Sequence, residues 1–78
     1  MGQLEDMSVF VRIVEAGGIG KAADQLGVAK SGISRRLTAL ESRLGASLIT
    51  RTTRSSTLTT IGREYYERAV KLLGDVSE

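Results

Sequence analysis

The sequence contains no cysteine, histidine, proline or tryptophan. The absence of cysteine excludes disulfides and thiolate nucleophiles. The further absence of histidine excludes imidazole bases and the usual zinc sites. No apolar run approaches the roughly 20 residues that span a bilayer, and the N-terminus is acidic instead of forming a basic and then apolar leader. We therefore expect a cytoplasmic protein with no metal, no cofactor and no membrane attachment.

The chain is also short, with 78 residues. A domain near this length buries only about 60% of the surface that its unfolded chain exposes, so its core is thin. A pocket large enough for catalysis is not expected. The length predicts one small domain that is not an enzyme.

The basic residues are concentrated in the middle of the chain. Residues 30–54 carry six basic residues and one acidic residue, a net charge of +5, whereas residues 1–29 and 55–78 carry −2 and −1. A polyanion is the simplest partner for such a block. The alternative is a solvated surface strip with no partner.

Three helices are predicted before residue 46. Apolar residues recur at spacings of three and four over residues 4–16, 19–26 and 30–44, and glycines follow each stretch. The predicted apolar stripe of the first helix consists of Leu4, Met7, Phe10, Val11 and Val14. The predicted buried positions of the second and third helices are Ala22, Ala23, Leu26, Ile33, Leu37, Leu40 and Leu44. These helices are expected to form the core.

The composition changes after Gly45. Residues 47–53 and 55–60 are rich in Thr, Ile, Ser and Leu and show no helical stripe, which favours two short strands. We expect a hairpin over residues 48–58, followed by a last helix that is capped by Thr59 or Thr60 and runs to about Ser77.

The second and third helices have the spacing of a helix-turn-helix. Ala23 permits close helix packing, Gly27 permits a sharp turn, and Ile33 fixes the third helix on the core. Such spacing also occurs by chance in helical hairpins, so the motif does not establish a function by itself.

The side of the third helix that faces away from the core, its outward face, carries short hydroxyls and one guanidinium. Its residues are Ser31, Ser34, Arg35, Thr38 and Ser42. Small side chains allow a helix to enter the major groove of DNA, where Arg35 can bind guanine O6 and N7. Arg36 and Arg43 project to one flank and Lys30 lies at the helix start, where phosphates would lie. The alternative is a serine-rich exposed helix with no ligand.

Arg54 in the hairpin turn suits a contact with the minor groove or a phosphate, with Arg51 nearby as a backbone contact. Arg51 could equally pair with Glu41 or another carboxylate and have a structural role.

The first and last helices carry more apolar surface than a thin core needs. This surplus predicts a dimer interface. Its residues are Val9, Ile13, Tyr65, Tyr66, Ala69, Leu72, Leu73 and Val76. The alternative is that the two surfaces pack on each other within one chain.

Three stretches of the sequence, LEDMSVFVRIVEAGG, KAADQLGVAKSGISRRLTALESRLGASLITRTTR and LTTIGREYY, resemble the N-terminal DNA-binding domain of LysR-type transcriptional regulators. The resemblance implies a mainly α winged helix-turn-helix, with a three-helix core and a two-stranded wing over residues 1–58. It also implies a long linker and dimerisation helix over residues 59–78. The C-terminal effector-binding domain of the family is absent, so we expect the chain to be part of a longer regulator.

The resemblance further implies a double-stranded DNA operator with inverted-repeat half-sites as the partner. It implies a homodimer through the linker helix, and it leaves open a tetramer in the full-length protein. The DNA contacts carried over by position are Lys30, Ser31, Ser34, Arg35, Arg36 and Thr38 on the recognition helix and Arg54 on the wing. Ala29 stands where many members have Ser or Thr, which predicts a weak cap on that helix.

Two other functions are weighed against this one. A winged helix that binds protein would expose large apolar or aromatic anchors on the third helix, and this helix exposes serines, threonine and arginine. An enzyme would have to use Glu64 and Glu67, which lie among basic residues on a solvated helix face.

Overall fold

The computed structural model describes residues 3–51 and 56–77. Its elements follow in the order α1 (Gln3–Ala16), α2 (Ile19–Leu26), α3 (Lys30–Leu44), β1 (Ile49–Arg51), β2 (Ser56–Leu58) and α4 (Thr60–Ser77). The two strands pair antiparallel, with Ile49 opposite Leu58. The predicted winged helix-turn-helix with a following long helix is confirmed.

The core lies where α1, α2, α3 and the base of the wing meet. Its largest fully buried side chains are Phe10, Ile13, Leu37, Leu40 and Leu48. Ile19, Ala22 and Ala23 add the buried side of α2. Because alanine has only a methyl side chain, α2 can lie close against α3.

The turn between α2 and α3 is set by Gly27. This residue has a φ of 69°, in the left-handed region that glycine adopts without a Cβ penalty. Beyond it, the amide of Val28 donates to the carbonyl of Ala23 over 3.1 Å. This hydrogen bond satisfies a carbonyl at the end of α2 and sends the chain into α3.

A junction at Leu48 joins α3, the wing and α4. The Glu41 carboxylate accepts hydrogen bonds from the amides of Leu48 and Ile49, at 2.7 and 3.2 Å. The Leu48 carbonyl accepts one from the amide of Thr59 at 3.0 Å. The Thr59 hydroxyl caps α4 by accepting from the Gly62 amide at 2.9 Å, as one of the two predicted caps.

Two predicted core positions are wrong. Leu26 and Leu44 have 41% and 42% of their surface exposed. Each is the last residue of its helix, immediately before the glycine that ends it. The chain turns away from the core at these two residues. The repeat of apolar residues therefore extends beyond the part of each helix that the core covers.

The buried face of α1 also differs from the predicted stripe. Ile13, predicted to be surplus, is 1% exposed, whereas Leu4 on the predicted stripe is 47% exposed. The physical reason is that α1 contacts α2, α3 and α4. A helix surrounded by three others buries more than one stripe of its circumference. No helix in the described part of the chain is long and apolar enough to cross a membrane.

Candidate nucleic-acid interface

The position of α3 is fixed by its apolar side. Ile33, Leu37 and Leu40 are buried in the core, at spacings of four and three residues. The opposite side of the helix is therefore turned to solvent. The residues of the outward face are exposed at Ser31, Arg35, Thr38 and Ser42 and half-buried at Ser34.

The hydroxyl side chains of the outward face project little from the surface of the helix. The Thr38 hydroxyl donates to the Ser34 carbonyl over 3.0 Å, so it lies along the helix. Arg35 is exposed, and no described carboxylate forms an ion pair with it. Lys30 is exposed at the start of the helix. One guanidinium thus projects from a surface of short hydroxyls.

The flank of α3 differs from the sequence expectation. The Arg43 guanidinium donates to the Asp6 carboxylate of α1. Arg36 lies 3.6 Å from a Glu5 carboxylate oxygen and 3.7 Å from one of Asp6. Both arginines are therefore held in ion pairs within the chain. A phosphate contact by Arg36 stays a prediction, and these pairs would have to open for it.

The residues predicted for the wing are only partly described. Arg51 is the last residue of β1, directly after the buried Ile49 and exposed Thr50. Arg54 and the side chain of Arg51 lie outside the described part of the chain. Their contacts with DNA stay predictions, as does the alternative pairing of Arg51.

Part of the predicted dimer surface is buried by packing within the chain itself. Ile13 and Ala69 are 1% and 0% exposed, so their assignment as partner contacts is corrected. The rings of Phe10 and Tyr65 meet edge to face with centroids 5.5 Å apart. The Tyr66 hydroxyl lies 3.3 Å from a Glu15 carboxylate oxygen. The alternative, packing of α1 against α4, accounts for this part of the surplus.

The rest of the predicted dimer surface is at least partly exposed to solvent. Leu72 is 44% exposed on α4, and Val9 and Leu73 are half-buried. Ile61 and Val70, which were not predicted as contacts, are also exposed. The side chain of Val76 lies outside the described part.

Tyrosine ionisation is disfavoured at the contact between α1 and α4. Burial raises the pKa of Tyr65 above its usual value, Arg43 opposes this and Asp6 adds to it. The pKa of Tyr66 is also raised, by loss of solvation and by the nearby Glu15 carboxylate. Both hydroxyls are therefore protonated at neutral pH.

Sequence reasoning missed Asp6, which is the buried carboxylate at the contact between α1 and α3. It is 7% exposed and stands four residues before Phe10, on the buried face of α1. A carboxylate at a core position is a signal for a paired cation. The partners Arg36 and Arg43 could not be identified, since they are about 30 and 37 residues away in the sequence.

The start of α3 lacks a side-chain cap, as the sequence predicted. Ala29 has φ −71° and ψ 140°, the extended geometry of an N-cap residue, but no side-chain hydrogen bond. We expect Ala29→Ser to stabilise the fold by about 0.5–2 kcal/mol, because the new hydroxyl can accept from a free amide of the first turn. Denaturant unfolding measures this change.

Ala39→Ser is the matched control for that substitution. Ala39 is exposed in the interior of the same helix, where serine has a lower helix propensity than alanine. It should lower the unfolding free energy by a few tenths of a kcal/mol. Equal effects of the two substitutions would contradict the capping interpretation.

Comparison with known proteins places these features in one family. A family model described as "Bacterial regulatory helix-turn-helix protein, lysR family" matches residues 4–63. The transcriptional regulator CrgA of Neisseria meningitidis is 42% identical over 73 residues, covering 94% of this chain and 24% of its own length. The chain spans about a quarter of the length of the curated relatives it matches.

Solved structures agree with the sequence match. The DNA-binding domain of BenM in complex with catB site 1 DNA superposes with a TM-score of 0.91 at 37% identity, over 97% of this chain and 85% of that one. The CbnR DNA-binding domain in complex with DNA gives a TM-score of 0.91 at 32% identity, over 97% of this chain and 87% of that one.

Proposed function

The chain belongs to the LysR family of bacterial regulatory helix-turn-helix proteins, and on this basis we propose that it binds double-stranded DNA with α3 in the major groove. The observation that carries the proposal is the exposed outward face of α3, where one guanidinium stands among short hydroxyls. Such a helix can approach base edges closely, and a guanidinium can read guanine with two hydrogen bonds. The likeness to two structures of DNA complexes supports the same function.

The roles proposed for the residues of α3 follow from their positions on that helix, and those of the two wing arginines follow from the family resemblance. Arg35 reads a base, and Ser31, Ser34 and Thr38 line the groove beside it. Lys30 contacts a phosphate at the helix start. Arg51 and Arg54 bring the wing to the neighbouring backbone or minor groove, and Arg36 is the weakest member of the set because of its ion pairs.

The working unit in this proposal is a homodimer formed through α4. The exposed Val70 and Leu72 on that helix support it, because exposed apolar residues on one helix are suited to a partner helix. Residues 1–58 form the DNA-reading head and residues 59–78 the linker helix. Two heads related by a two-fold axis require inverted half-sites about one helical turn apart, or a multiple of it. A dimer or tetramer of the full-length regulator would act on DNA in the cytoplasm and perform no catalysis.

A salt titration of DNA binding tests this function. Each phosphate that a basic side chain neutralises contributes about −0.9 to the slope of log affinity against log salt concentration. With Lys30, Arg51 and Arg54 as phosphate contacts in each head, we expect a steep negative slope. A slope of zero would contradict the proposal. Selection of bound sequences from a random duplex pool should return inverted repeats, and return of single half-sites would contradict the dimer.

A further inference from the structure

Asp6 places a buried carboxylate between the two arginines on the flank of α3. Its side chain is 8% exposed, and it accepts a hydrogen bond from Arg43. Its other oxygen lies 3.7 Å from the guanidinium of Arg36, which is also 3.6 Å from Glu5. Two carboxylates of α1 thus face two guanidiniums of α3, and the charge of this group is balanced.

The same two arginines border an open depression that also includes Arg35. The depression has a volume of about 410 Å³ and is lined by Asp6, Arg35, Arg36, Ala39 and Arg43. Arg43 has 47% of its side chain exposed. Three guanidiniums of α3 therefore border one depression, and the Asp6 carboxylate of α1 lies among them.

Arg36 is held by charge more than by hydrogen bonding. Its Nη1 atom is buried and has no hydrogen-bond partner among the described residues. The distances to both carboxylates exceed the 2.7–3.2 Å range of a good N–H···O bond. Neutralising Asp6 would therefore remove one of the two carboxylate attractions that keep this guanidinium on the α1 side.

We infer that Asp6 is a positioning residue that holds Arg36 and Arg43 against α1 and thereby limits the phosphate contacts of α3. The inference rests on the DNA-binding function proposed above. Phosphate contacts add affinity without sequence information. When the flank of α3 makes fewer phosphate contacts, a larger share of the binding free energy comes from Arg35 and the other groove contacts. Asp6 therefore sets how much of the salt-dependent, sequence-independent affinity for DNA the flank of α3 contributes, although it touches no DNA.

Asp6→Asn tests this role against Glu67→Gln. Both substitutions remove one negative charge, and Glu67 is exposed on α4. The measurement is the affinity for a random-sequence duplex at several salt concentrations. Asp6→Asn should steepen the slope by about 0.9 for each arginine released, up to about 1.8. Its affinity gain over the control should grow roughly three- to fourfold per released arginine for each fourfold reduction in salt.

Two further variants keep the test decisive. Glu5 is 55% exposed, so Glu5→Gln should leave the fold intact. It should still steepen the slope, by no more than the roughly 0.9 expected for the release of Arg36. Adding Arg36→Gln and Arg43→Gln to Asp6→Asn should abolish the excess slope. A purely structural Asp6 would lower the thermal midpoint and weaken binding with no change in slope, and this result would overturn the inference.

The outcomes separate this inference from the proposed function. If the unaltered chain binds DNA with a zero slope, the proposed function fails and the inference fails with it. If the unaltered chain has a steep slope and neither Asp6→Asn nor Glu5→Gln changes it, the inference alone is wrong. If the slope steepens equally in Asp6→Asn and Glu67→Gln, net charge is the cause and the inference is again wrong.

Discussion

Replacement of Gly62 by alanine is expected to destabilise the fold by about 3 kcal/mol or more. Gly62 lies in the first turn of α4, where a Cβ atom would come within 2.0 Å of the Leu48 carbonyl oxygen and 2.9 Å of its carbonyl carbon. The neighbour is backbone, so no side-chain rotation can relieve the contact. The usual gain of about 1 kcal/mol from glycine to alanine in a helix is too small to offset it.

Thermal unfolding measures this effect, with Gly74→Ala as the control. Gly74 lies in the same helix, and no described atom outside its own stretch of helix lies within 4 Å of the position that a Cβ atom would take there. We expect Gly74→Ala to stabilise by up to about 1 kcal/mol, and Gly62→Ala to lower Tm by roughly 10–20 °C. Changes of the same sign in both variants would show that helix propensity, and not the contact with Leu48, governs Gly62.

Arg35 should carry most of the sequence preference. Arg35→Ala is expected to cost about 1–3 kcal/mol on a specific site, a roughly 5- to 150-fold loss of affinity, because a bidentate contact with guanine is lost. Random DNA should lose much less. Competition binding with a selected site and a scrambled duplex measures both affinities.

Arg35→Lys separates the geometry of this side chain from its charge. Lysine keeps the positive charge but lacks the planar fork of the guanidinium. We expect Arg35→Lys to keep the salt slope and to lose much of the specific affinity. Arg63→Ala, at an exposed position of α4, is the control for loss of a positive charge. Equal losses on specific and random DNA in Arg35→Ala would refute the assigned role.

The elements of the fold were predictable where the signals are local. The bounds of α2 match the prediction, and α3 begins at Lys30 and ends before Gly45 as expected. Glycine conformation and helical period depend on neighbours within a few residues. The Thr59 cap belongs to the same class of signal, since its hydroxyl bonds an amide three residues later.

The errors lie where distant parts of the chain meet. The burial of Ile13 depends on the other elements that pack around α1, which the period of α1 alone does not reveal. The ion pairs of Arg36 and Arg43 depend on how α1 lies across α3. The outward face of α3 was predictable because it lies opposite the apolar stripe of the same helix. The flank of α3 contacts α1, and the residue pattern of α3 gives no information about that contact.

The burial of Leu48 has a mechanical consequence for the molecule. Its amide is bonded to the end of α3 through Glu41, and its carbonyl is bonded to the start of α4 through Thr59. Hydrogen bonds on both sides of this one residue therefore link the recognition helix α3 to the start of α4. Through these hydrogen bonds, a tilt imposed on α4 by a second subunit would be passed to α3 and the base of the wing.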